Sequence, residues 1–134
     1  MDNQSPIKVF ICDDSKPARM LLSRMLSEIS HDVTVEGESA TGRGTVFMLE
    51  EDRPDIVMLK LNIPNDADSQ EVMQQIRDIH PGFHIILCSL PQDRHLLDGA
   101  VRSGLADDFI EKPVRKNVLE RSILTYLQKK ASEK

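Results

Sequence analysis

Tryptophan is absent from the 134 residues, and there are only one tyrosine and four phenylalanines. A pocket that stacks on a broad flat ring therefore has little to draw on. The two cysteines, Cys12 and Cys88, lack Cys-x-x-Cys spacing, so there is no zinc signature. Both sit in apolar, strand-like runs and read as reduced core thiols of a cytoplasmic protein, with a disulfide between them the weaker option. Basic residues form no stripe, and a net charge of −5 argues against nucleic acid as a partner. No apolar run approaches the roughly 20 residues that span a bilayer. The first six residues also lack the basic and apolar regions of a secretion signal. His31, His80, His84 and His95 show no ligand spacing and read as surface or loop residues.

What is present is a regular alternation of short apolar runs and helical stripes. Residues 7–12 are apolar and β-branched; Ser15 then caps a helix with Pro17 in its first turn. Ala18, Leu21, Leu22, Met25 and Ile29 give that helix one apolar face. Strands are expected at 33–37, 56–59, 85–88 and 109–110, and a helix at 43–51. Val72, Met73, Ile76 and Ile79 mark the next helix. Leu96, Leu97, Ala100 and Val101 mark another, closed by Gly104, and Leu119, Ile123, Tyr126 and Leu127 mark the last. Five strand–helix units imply one α/β domain with a mostly parallel sheet. The expected limits are a disordered segment at 1–6, the domain at 7–128 and a polar tail at 129–134.

Parallel sheets of this kind carry ligands at the carboxyl ends of their strands. Asp13, Asp14, Lys60, Ser89 and Lys112 all fall at or just after such ends. Each alone has an ordinary explanation: a strand-end lysine is usually solvated, and Asp-Asp before a helix is often a cap. Their joint placement after strands one, three, four and five makes coincidence a poor account.

The motifs Val9-Phe10-Ile11-Cys12-Asp13-Asp14, Ile85-Ile86-Leu87-Cys88-Ser89 and Ala106-Asp107-Asp108-Phe109-Ile110-Glu111-Lys112-Pro113 resemble those of the bacterial response-regulator receiver domain. The resemblance runs from about residue 7 to residue 127. It implies a (βα)5, flavodoxin-like, doubly wound sandwich with a five-stranded parallel sheet. It further implies that Asp13, Asp14 and the Asn62 carbonyl stand at the Mg²⁺ positions, Ser89 at the hydroxyl that binds a phosphoryl oxygen, and Lys112 at the phosphoryl-pairing lysine. Phe109 stands at the aromatic switch, where without a hydroxyl it could signal only by repacking.

Two departures matter. Lys60 occupies the position of the phosphoacceptor aspartate, and the loop 65–69 is one residue longer than the family's and lacks its glycine. Phosphoryl transfer to a receiver needs an oxygen nucleophile and Mg²⁺. A lysine there changes the local charge by two units. Beside a carboxylate about 4 Å away it gains about 4 kcal/mol at an effective dielectric of about 20, before desolvation. Lys60 is therefore expected against Asp13 or Asp14, protonated, a poor nucleophile, and in the place of a cation. No metal, cofactor or catalytic residue is expected.

The expected function is a phosphorylation-independent, receiver-like interaction module of a two-component-type pathway. Its partners would be signalling proteins, or a second copy, met through the fourth helix, fifth strand and fifth helix. Arg94, His95, Asp98, Arg102, Asp107, Asp108, Lys116, Glu120, Arg121 and Tyr126 lie on that face, and a plain solvated surface is an equal reading of it. The alternatives are a phosphorylatable regulator using Asp66 or Asp68 as surrogate acceptor, or a normal regulator mutated at the acceptor site. A flavodoxin-like cofactor binder is disfavoured, because Asp13-Asp14-Ser15-Lys16-Pro17 puts carboxylates where a phosphate cradle needs amides.

Overall fold

The computed structural model describes residues 5–133. In chain order the elements are β1 (Ile7–Cys12), α1 (Lys16–Glu28), β2 (Val33–Ser39), α2 (Gly42–Leu49), β3 (Ile56–Leu59), α3 (Ser69–Ile79), β4 (His84–Ser89), a 3-10 turn (Pro91–Asp93), α4 (Arg94–Arg102), β5 (Asp108–Glu111) and α5 (Lys116–Ser132). The five strands form one sheet in the order β2-β1-β3-β4-β5, and every pairing is parallel.

Strand alternation divides the core between two layers. Val9, Ile11, Ile56, Met58, Ile86 and Cys88 face α1 and α5, and pack with Leu22, Leu26, Leu119 and Ile123. Phe10, Cys12, Val57, Leu59, Ile85 and Leu87 face the opposite layer, and pack with Leu49, Val72, Ile76 and Leu97. Strands covered on both faces are mainly apolar, which is why β3 and residues 85–88 of β4 read as unbroken apolar runs. Cys12 and Cys88 lie on opposite faces, and both are free thiols.

Ser15 caps α1 by accepting from the Ala18 N–H at 3.2 Å, with Pro17 in the first turn. Gly104, at φ +85°, turns the chain after α4 in a conformation that costs a side-chain-bearing residue energy. Gly42 opens α2 in a space that a Cβ would share with Val72 Cγ2 at 2.6 Å.

Several expectations need correction. On α1 Leu22 is buried as expected and Leu26 joins it, while Leu21 is exposed. On α4, Leu97 is fully buried but Leu96 is 52 % exposed. His84 is no surface residue: it opens β4 at 3 % exposure. Tyr126 faces the core rather than the α4–β5–α5 surface. The stretch expected as a tail from 129 continues α5 to Ser132, and Lys129 reaches back to pair with Asp107. The expected N-terminal segment 1–6 lies outside the described residues except for Ser5 and Pro6, which precede β1.

Candidate functional site

The sheet reverses its winding at β1 and β3, and the carboxyl ends of those strands form the crevice where such sheets bind ligands. Asp13 and Asp14 follow β1 directly; the Asp13 N–H is tied to the Ser39 carbonyl at 3.0 Å. Lys60 follows β3, with its N–H on the Cys12 carbonyl at 3.0 Å. Lys112 follows β5, with its N–H on the Ser89 carbonyl at 2.7 Å. Backbone ladders thus deliver four charged side chains to one edge.

There they pair in two sets. Lys60 Nζ lies 2.7 Å from Asp14 Oδ1, and Lys112 Nζ lies 2.6 Å from Asp13 Oδ2. Asp13 is buried and its Oδ1 also accepts from the Ser15 N–H at 2.9 Å. The hydrogen bond from Lys60 holds the Asp14 carboxyl below its ordinary value. Beside them, burial pushes the Cys12 thiol up to about 11 and the Cys88 thiol up to about 12, so neither is a thiolate at neutral pH.

Ser89 and Asn62 come together through a residue that sequence reasoning missed. Ser89 Oγ donates to Asp93 Oδ2 at 2.6 Å, and Asn62 Nδ2 donates to Asp93 Oδ1 at 3.0 Å. Asn62 sits at φ 58°, as does Asn65; asparagine tolerates this left-handed backbone and so turns the β3–α3 loop without glycine. Arg19 was also missed. Its Nη1 donates to the Asp13 carbonyl at 2.6 Å and its Nε to Glu38 Oε1 at 2.9 Å. Neither carried a motif: Asn62 and Glu38 lie far away in sequence, Arg19 meets Asp13 through a backbone carbonyl, and the Ser89–Asp93 contact needs the 3-10 turn to form.

The loop carboxylates are otherwise engaged. Asp66 accepts from the Gly42 and Arg43 N–H groups at the start of α2. Asp68 caps α3, accepting from Gln70 N at 3.1 Å and Glu71 N at 3.3 Å.

On the α4–β5–α5 face, Arg94 Nη1 lies 2.9 Å from Glu111 Oε2, and its guanidinium sits 5.2 Å from the centre of the half-buried Phe109 ring. Asp108 accepts from Ser122 Oγ at 2.6 Å. Arg102 and Arg121 are exposed. Asp107 points elsewhere, to Arg77 Nη2 at 2.7 Å, Lys129 and the Ile85 N–H at 2.9 Å.

A parallel sheet in this order, with acids after β1, a hydroxyl ending β4 and Lys-Pro after β5, is the arrangement of a receiver fold. The chain belongs to the response regulator receiver domain family, whose family model matches residues 9–124. It is 32% identical over 106 residues to the chemotaxis protein CheY of Thermotoga maritima, covering 79% of this chain and 85% of that protein. It is 33% identical over 109 residues to the CheY of Halobacterium salinarum, covering 81% and 87%. The receiver domain of AraT, a response regulator from Geobacillus stearothermophilus, has the same fold, with a TM-score of 0.82 at 22% identity over 96% of this chain and 98% of that one. Receiver domains are signalling modules that act on other proteins. No helix among the described residues is long and apolar enough to cross a membrane.

Proposed function

We propose that this receiver domain works as a phosphorylation-independent, non-enzymatic interaction module of the cytoplasm. The observation that carries this reading is the double pairing of Lys60 with Asp14 and Lys112 with Asp13. Two carboxylates facing two ammonium groups are neutral as a set. A divalent ion seated between the two acids would compete with an ammonium already on each of them. Among the described residues no three His, Cys, Asp or Glu side chains gather around a common point that could hold an ion. The donor set therefore does not fit Mg²⁺, and the Lys60 ammonium takes the role of the cation.

The side chain at the acceptor position is also the wrong nucleophile. An ammonium hydrogen-bonded to Asp14 has no free electron pair for attack. The surrogate acceptors are disfavoured by their engagement with backbone N–H groups, Asp66 at the start of α2 and Asp68 as the cap of α3. Without a phosphoryl group to bias the domain, the α4–β5–α5 face, with Arg94, Phe109, Arg102, Asp108 and Arg121, keeps a state set by the chain itself. Its partners are other signalling proteins or a second copy of this chain, and the net charge of −5 disfavours nucleic acid.

The test is an NMR titration with beryllofluoride and Mg²⁺, paired with intact-mass measurement after incubation with acetyl phosphate. The expected result is an unchanged spectrum and an unchanged mass. A phosphoryl adduct mapped to Asp66 or Asp68, or shifts confined to the crevice and α4, would reverse the reading.

A further inference from the structure

Asp93 is an N-cap whose side chain does not cap its own helix. A carboxylate at that position ordinarily accepts from the N–H groups of the first turn. This one turns into the crevice instead. Its Oδ2 takes the hydroxyl of Ser89, a residue with 0 % exposure, and its Oδ1 takes the Asn62 amide. Asp93 thereby ties the end of β4 to the loop after β3. The next residue, Arg94, reaches the other way, to Glu111 and over Phe109. Two consecutive residues thus link three strand ends to the start of α4.

We propose that Asp93 is an internal oxyanion: a positioning residue that occupies the Ser89 hydroxyl in place of a phosphate-like ligand and so holds α4 and Phe109 in one arrangement. This rests on the reading of Lys60 given above and extends it from the cation position to the anion position. A hydroxyl has one proton to donate. While Asp93 receives it, an outside oxyanion finds no hydroxyl proton at Ser89 and meets a carboxylate that is itself negative. The bond is charge-assisted, and so stronger than one between neutral groups.

The test has two arms on the full chain. In the first, amide exchange across residues 94–102 and the Phe109 ring resonances are followed in Asp93→Ala, Ser89→Ala and the double variant. Each single variant is expected to speed exchange at the start of α4 about tenfold, the scale of one charge-assisted hydrogen bond, with no further change in the double variant. No acceleration, or fully additive accelerations, would overturn the proposal. In the second arm, beryllofluoride with Mg²⁺ is titrated into Lys60→Asp and into Lys60→Asp/Asp93→Ala. Binding at least about tenfold tighter in the second is expected, and equal binding would count against Asp93. If Lys60→Asp takes up no Mg²⁺ while the exchange result stands, the Lys60 reading fails and the Asp93 assignment survives.

Discussion

Lys60 and Asp14 meet across the point where the sheet reverses its winding, 2.7 Å apart, one from the loop after β3 and one from the loop after β1. The pair is partly exposed, so its contribution to stability is small, about 1 kcal/mol or less. It also leaves an electrostatic trace on Asp14. A carboxyl whose folded value is depressed contributes stability above its ordinary value of 3.8, lost as pH falls through the folded value. Lys60→Met is expected to raise the Asp14 midpoint toward 3.8 and remove that acid-limb contribution. A carbon-detected titration of the Asp14 carboxyl checks this; an unmoved midpoint would contradict the pairing.

His84 gives a second pH dependence. Burial lowers its value below the ordinary 6.5 despite Asp107 Oδ2 at 3.9 Å, with Arg77, Lys129 and Asp108 also nearby. Its Nε2 is buried without a partner, and its ring meets Tyr126 edge to face at 5.1 Å. The fold prefers the neutral ring, whereas the unfolded chain takes up a proton below about 6.5. Stability should thus be full above that pH and decline below it. Urea melts at pH 7.5 and 5.5 should show the decline, and His84→Phe should flatten it.

Asp66 is a structural residue on this account. Asp66→Ala should cost about 1 kcal/mol through the hydrogen bonds lost to the Gly42 and Arg43 N–H groups at the start of α2, read as a lower urea midpoint. Full stability in that variant would leave the side chain free for another role.

Leu96 and Leu97 separate cleanly by burial. Leu97→Ala should cost about 2–5 kcal/mol, and Leu96→Ala less than about 0.5 kcal/mol. Thermal melts of the two variants, compared with the parent, provide the check.

These two leucines also show what the sequence could and could not carry. The strands were readable because a sheet covered on both sides demands runs such as Ile56-Val57-Met58-Leu59, and the sheet edge that gathers the charged residues followed from the chain order. Charge complementarity alone pointed Lys60 at Asp13 or Asp14. It could not choose between them, because that choice depends on Lys112 already lying on Asp13. Asp93 escaped notice because Asn62 lies 31 residues away and the Ser89 contact needs the 3-10 turn to form. His84 was misplaced because polarity alone suggests solvent, whereas β4 is buried along its whole length. The end of α5 was misjudged because Lys129 and Lys130 look like a tail until Asp107 appears opposite.

The most direct check of the central claim is a crystal structure determined after soaking in millimolar magnesium. The account predicts the Lys60 ammonium still seated on Asp14, with Lys112 on Asp13 and no metal between the acids. An octahedral ion bound by Asp13, Asp14 and the Asn62 carbonyl, with the Lys60 amine swung out to solvent, would contradict it.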